Sequence, residues 1–264
     1  MINRGVALES VIGFLVEGTN LTILGFSILC GVSFVGSLIA ASLGLGGGLL
    51  NLAAMTLFLP PTVLIPIHAV VQIGSNGFRA LLMRRDILYS VIPAFAVGTL
   101  VGSFIGGRAL FAMEIWVLQA ILGLFVLYAT WAPKFKSSNP GPLKFFGCGV
   151  FGGFATMFVG GTGPLVAPVV NAACKERQEV VSTHAVLMTL QHFFKVILFG
   201  VLGFAFGPYI PLLLGLIIFG VCGTLVGKKV LDKLPEKVFR IGLQTILTLL
   251  AARLLYAALT TYLS

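Results

Sequence analysis

The chain has 264 residues, 58% of them hydrophobic and only 9% charged, with a mean hydropathy of +1.08 and a formal charge of +9. An ordinary soluble domain carries about 25% charged residues, so a water-soluble fold is excluded and the chain reads as an integral membrane protein. The positive balance does not point to nucleic acid, because the basic residues sit in short loops beside apolar runs, where they set topology.

Apolar runs of about twenty residues, the length a helix needs to cross hydrocarbon, recur from Leu21 to the C-terminus. They lack the two-residue alternation of a barrel strand, so the expected fold class is all-α. Ahead of them, the apolar run from Val11 to Val16 is too short for a signal-peptide core. Leu8, Val11, Ile12 and Leu15 are spaced for an amphipathic helix lying at the membrane surface, and residues 1–20 are set apart as an interfacial appendage.

Leu21 to Leu43 is expected to form a first helix, interrupted by Gly44 to Gly48. The apolar segment from Leu49 to Leu59 ends at Pro60 and Pro61 and would reach roughly 16 Å, about half of a hydrocarbon core. It is a half-helix, or one arm of a re-entrant hairpin. Between Pro61 and Met83 lie His68, Gln72, Ser75, Asn76 and Arg79, spaced i, i+4, i+7, i+8 and i+11, so that one helix face carries all five. Arg84, Arg85 and Asp86 precede a span from Ile87 to about Ile105. A loop with Arg108 and Glu114 leads to a span from Ile115 to Trp131.

The polar stretch from Pro133 to Pro142 reads as a linker, dividing the chain into 21–132, a linker at 133–143, and 144–264. The second part repeats the first. An offset of 116 carries Gly44, Gly46 and Gly47 onto Gly160, Thr162 and Gly163, and carries the polar stripe onto His184, Met188, Gln191, His192 and Lys195. The basic end of the stripe keeps its charge. Each repeat therefore has about five helical segments, including a short half-helix after a glycine-rich bend.

Counting five segments per repeat gathers Arg84, Arg85, Lys134, Lys136, Lys144, Lys175, Arg177, Lys228, Lys229, Lys233, Lys237 and Arg240 on one side, and leaves Arg4 and Arg108 on the other. Positive residues collect on the cytoplasmic side, so this count is preferred over four segments per repeat. An odd number of segments makes the second repeat inverted and puts both termini outside. The location expected is a plasma membrane.

Inverted repeats with broken helices are an architecture of secondary transporters, with the substrate between the halves. Glycines at Gly46, Gly47 and Gly48, and at Gly161 and Gly163, bare the backbone N–H groups at the start of each half-helix, where a helix dipole favours an anion. Asn51 and Thr162 can add side-chain hydrogen bonds. The acidic residues lie in loops, span ends or the N-terminal appendage, so Arg79 and Lys195 meet no carboxylate within a span. The candidate substrate site is Gly46, Gly47, Gly48, Asn51, Gln72, Ser75, Asn76, Arg79, Gly161, Thr162, Gly163, Gln191, His192 and Lys195. Arg79 has a second reading, snorkelling to the cytoplasmic interface. His68, His184 and His192 are the chain's histidines, and their unperturbed pKa of about 6.5 makes them candidates for proton coupling. Cys30, Cys148, Cys174 and Cys222 have no metal or redox spacing and read as small hydrophobes. No metal and no cofactor are expected.

At its glycine bends, Gly44 to Gly48 and Gly160 to Pro164, each followed by an apolar half-helix, a turn and a long helix, the chain resembles the sulfite exporter TauE/SafE family over nearly its whole length. That resemblance implies a bacterial transporter of sulfite, a sulfonate or a related organosulfur anion. Family members commonly carry a small residue or Thr-Ser where this chain has His68-Ala69 and His184-Ala185. The expected partners are a small anion and the lipid bilayer, with the oligomeric state open and a homodimer among its forms. The competing classes are a membrane assembly factor and an intramembrane enzyme, for which no Ser, Cys or acidic residue sits beside a histidine in a catalytic arrangement.

Overall fold

The computed structural model describes residues 21–43, 46–110, 113–131, 140–229 and 236–263, together with 13 and 19; at 43 and 236–240 it describes the backbone alone. The interfacial helix expected before Leu21, Gly44 of the first bend, and linker residues 132–139 lie outside the described residues. Among the described residues the regular structure is helical: α1 (Ile23–Leu43), α2 (Gly47–Met55), α3 (Pro61–Leu82), α4 (Ile92–Leu110), α5 (Ile115–Trp131), α6 (Pro142–Val159), α7 (Gly163–Ala173), α8 (Arg177–Val201), α9 (Ile210–Lys229) and α10 (Glu236–Leu263).

Six stretches of the described residues are long and apolar enough to cross a bilayer, built on α1, α4, α6, α8, α9 and α10. Each of them turns some large apolar side chains outward. Val97, Leu100, Val101, Phe104 and Ile105 of α4 are exposed, as are Leu214, Ile218 and Phe219 of α9. Such apolar surface is stable against lipid and costly against water.

Where two of these helices touch most closely, the contact is made by glycines. A Cβ on Gly98, Gly102 or Gly106 of α4 would overlap the backbone carbonyl of Phe146, Val150 or Phe154 of α6. On α9, Gly223 and Gly227 meet the carbonyls of Phe34 and Leu38 of α1 in the same way. Glycines four apart let two backbones touch, which is how helices associate where lipid removes the hydrophobic drive. Ser103 Oγ donates to Gly153 O at 3.3 Å, and Ser33 Oγ to Leu216 O at 2.6 Å, adding a hydrogen bond to each seam.

These pairings join the two parts of the chain crosswise. α4 of the first part packs on α6 of the second, and α9 of the second packs on α1 of the first. The two stripe helices pair with each other and run antiparallel: His68 lies against His192, Gly77 against Thr189, and the backbone N–H of Leu88 donates to Thr183 Oγ1 at 2.9 Å. α5 and α10 are also antiparallel, with Trp116 against Tyr262 at one end and Trp131 Nε1 donating to Thr248 Oγ1 at 3.0 Å at the other. Exchanging the two parts carries α4 with α6 onto α9 with α1, and carries the two antiparallel pairs onto themselves.

Element boundaries follow local chemistry. Pro61 starts α3 at a position whose N–H would have no helical acceptor. α8 begins after a capping box in which the Glu176 side chain accepts the Glu179 N–H and the Glu179 side chain accepts the Glu176 N–H. α4 begins at Ile92 and not at Ile87, because Tyr89 to Val91 form a tight 3-10 turn ahead of Pro93, and Tyr89 Oη donates to Arg84 O at 2.9 Å.

Candidate anion site

Both half-helices begin beside the same cavity. Gly46, at φ 93, lets the chain turn back into α2, and Gly160, at φ 75, does so before α7. Side chains rarely adopt such angles. In the first turn of each half-helix the N–H groups have no acceptor within the helix. Gly46 and Gly48 from the first bend, and Gly161, Gly163 and Pro164 from the second, form part of the wall.

The stripe helices complete it. His68, Gln72, Asn76 and Arg79 of α3 and His184, Met188 and His192 of α8 line the cavity, with Ala40, Leu49 and Leu52. Its volume is about 50 Å³. That holds a few waters or one small anion; pockets for drug-sized ligands run to about 300 Å³ or more. Glycine is what leaves this space. A Cβ on Gly48 would come 3.0 Å from Gln72 Nε2, one on Gly161 would stand 3.4 Å from His68 Cε1, and one on Gly163 would stand 3.3 Å from His184 Cε1.

Polar contacts run along both stripes. Arg79 Nη2 donates to Asn76 Oδ1, and Asn76 Nδ2 donates to Gln72 Oε1 at 2.9 Å. Gln72 Nε2 lies 3.0 Å from His68 Nε2, which is also 3.0 Å from Gly48 O. On the other side His184 Nε2 lies 3.1 Å from Gly163 O. Each half thus has a stripe histidine against the backbone of its own bend. Arg79 is 3% exposed, and its Nε, like Nδ1 of His192, is buried without a hydrogen-bond partner. Among the described residues, aspartate and glutamate are absent from the wall.

Other residues of the expected set stand behind the wall. Gly47 packs on the Gly36 carbonyl, and Ser75 Oγ is 2.8 Å from Ser37 Oγ. Thr162 Oγ1 donates to Gln191 Oε1 at 2.7 Å, tying the second bend to its stripe. Asn51 is buried with Oδ1 unpartnered. Lys195 is fully buried and donates to Gly160 O, to Thr156 Oγ1 at 3.2 Å and to Thr156 O at 3.4 Å. Its ammonium therefore caps the last carbonyls of α6, where a helix dipole favours a cation.

The wall also contains Ala40, Leu49, Leu52, Pro164 and Met188, which polarity alone does not select. Met188 had a signal, since it occupies the stripe position equivalent to Gln72. A second, apolar hollow of about 350 Å³ lies toward the opposite ends of the stripe helices, among Pro61, Thr62, Ile65, Leu110, Met113, Leu118, Phe199 and Phe204.

An all-helical bundle with lipid-facing apolar surfaces and a buried polar cavity between broken helices is that of a polytopic membrane protein. The chain belongs to the sulfite exporter TauE/SafE family, whose model matches residues 29–254. That is a family of membrane transporters for sulfite and related sulfur anions. Comparison with curated proteins and with solved structures yields no match.

Proposed function

We propose that this protein is a proton-coupled secondary transporter of a small sulfur-containing anion, sulfite or a sulfonate, which it releases outward when the anion accumulates in the cytoplasm. The modules 21–132 and 144–264, joined by 133–143, act as inverted copies, and the substrate sits between them in a bacterial plasma membrane with both termini outside. The antiparallel pairing of α3 with α8 and of α5 with α10 supports the inversion.

One observation carries the reading: a cavity of one-anion size is lined by Arg79, three histidines and the amino ends of two half-helices, with no carboxylate in its wall among the described residues. An uncompensated buried cation is costly, and an anion or water relieves that cost. The second bend and Gln191 shape the site, and Lys195 holds the end of α6 that the bend continues.

The test is transport in proteoliposomes over a panel of sulfite, thiosulfate, sulfonates and carboxylates, with and without a pH gradient. Saturable flux of a sulfur oxyanion that responds to the gradient is expected. Flux indifferent to the gradient removes the coupling, and no flux of any sulfur anion removes the reading.

A further inference from the structure

The four linked side chains of α3 form a relay whose direction is fixed at one end. A guanidinium has five N–H donors and no acceptor, so the Asn76 oxygen must face Arg79. The Asn76 nitrogen then faces Gln72 Oε1, and the Gln72 nitrogen faces the imidazole. With that orientation His68 Nε2 accepts from Gln72, and the neutral ring carries its proton on Nδ1, a buried atom with no hydrogen-bond partner among the described residues. In that state the 3.0 Å approach of Nε2 to Gly48 O has no proton between the two atoms.

We propose that this relay is a switch in which proton uptake at His68 Nε2 reverses the chain of amides and releases Arg79 into the cavity. The new proton bonds Gly48 O, which already stands at hydrogen-bond distance. Gln72 Nε2 loses its acceptor and turns, so that Oε1 faces the ring and the nitrogen faces Asn76. Asn76 turns in response and presents Nδ2 to Arg79. Two donors cannot bond, and the guanidinium leaves Asn76 for the cavity whose wall it forms. Gln72 and Asn76 act here as positioning residues.

The charges around His68 make proton and anion depend on each other. Facing its ring are His192 on α8, at 5.6 Å between ring centroids, and the Gly160 carbonyl, whose other partner is Lys195. Arg79 stands on its own helix, and His184 lines the same cavity. A further positive charge among these groups is costly until an anion enters, and by linkage each event raises the affinity for the other. This switch rests on the proposed anion route, but its first test needs no anion.

Full-length protein labelled with 15N-histidine in lipid nanodiscs gives three ring systems, each assigned by its loss in His68→Gln, His184→Gln or His192→Gln. At mildly alkaline pH His68 is expected as the Nδ1–H tautomer. Asn76→Asp still accepts from Arg79 but cannot donate to Gln72, so it should shift His68 to Nε2–H. An Nε2–H ring in the unmodified protein, or a tautomer that Asn76→Asp leaves in place, overturns the switch; the unmodified spectrum decides even if the variant does not fold. Methanesulfonate, whose charge is constant over about pH 5 to 8, the window in which histidine titrates, should raise the protonated fraction of His68. Binding without that rise overturns the linkage alone. Absence of binding counts against this sulfonate as substrate and leaves the tautomer to judge the relay.

Discussion

His68 of the first stripe helix and His192 of the second meet edge to face, with ring centroids 5.6 Å apart and an interplanar angle of 75°. The two stripe helices thus touch through imidazoles in the wall of the polar cavity, and Gly161 stands beside both rings. Gly161→Val is expected to fill this junction and cut anion flux at least about tenfold, since overpacking a filled site costs about 1–3 kcal/mol. Flux equal to the unmodified protein would place the anion elsewhere.

Arg79 is the cation in the wall, and its guanidinium is held by Asn76. Arg79→Gln should lower anion affinity by roughly 10- to 100-fold, the equivalent of a charged hydrogen bond worth about 1.5–3 kcal/mol. Arg79→Lys keeps the charge but loses the planar fork, so it should recover only part of the loss. Ligand-dependent thermal shifts in detergent measure both, and equal affinities in all three proteins would take Arg79 out of the site.

Lys195 gives a different signature. Lys195→Met takes its donor from the Gly160 carbonyl, while Thr156 O keeps the Gly160 N–H at 3.1 Å, and a buried unsatisfied acceptor costs about 1–3 kcal/mol. A lower melting temperature is therefore expected even with no anion present. If the variant keeps its melting temperature and loses only anion affinity, Lys195 binds substrate and does not serve as a cap.

The small-residue seams predict a matched pair of losses. Gly102→Val in α4 and Gly223→Val in α9 each force a side chain into a facing carbonyl, of Val150 and Phe34 respectively. Both should lower the melting temperature and the yield of monodisperse protein. Gly147→Ala faces open space, and by helix propensity it should be neutral or stabilising by up to about 1 kcal/mol. A tolerant Gly102 or Gly223 would mean the helices do not touch there.

Orientation is open to chemical labelling. In a background without the native cysteines, Glu114→Cys should react with a membrane-impermeant maleimide on intact cells, whereas Arg84→Cys should react only after permeabilisation. The reverse pattern would invert the proposed topology.

The sequence displayed the segment order well, because apolar runs, prolines and glycine bends are local signals. The i, i+4, i+7, i+8, i+11 spacing correctly put His68, Gln72, Asn76 and Arg79 on one face, since helical period follows from geometry alone. Spacing cannot name a partner, however. Gln191 and Thr162 share a wall in sequence, but in space Thr162 Oγ1 donates to Gln191 Oε1, and the Lys195 ammonium turns to the end of a helix that is distant along the chain. Ala40 was invisible for the opposite reason: it contributes by being small.

The crosswise seams bear on how the molecule can move. α4 is clasped by α6, and α9 by α1, with backbone against backbone at Gly98, Gly102, Gly106, Gly223 and Gly227. Two interlocked bodies of this kind cannot swing apart without baring polar backbone to lipid, yet their smooth contact faces can slip. Access to the two sides of the membrane would then alternate by sliding of the stripe helices within a frame that stays shut to the bilayer.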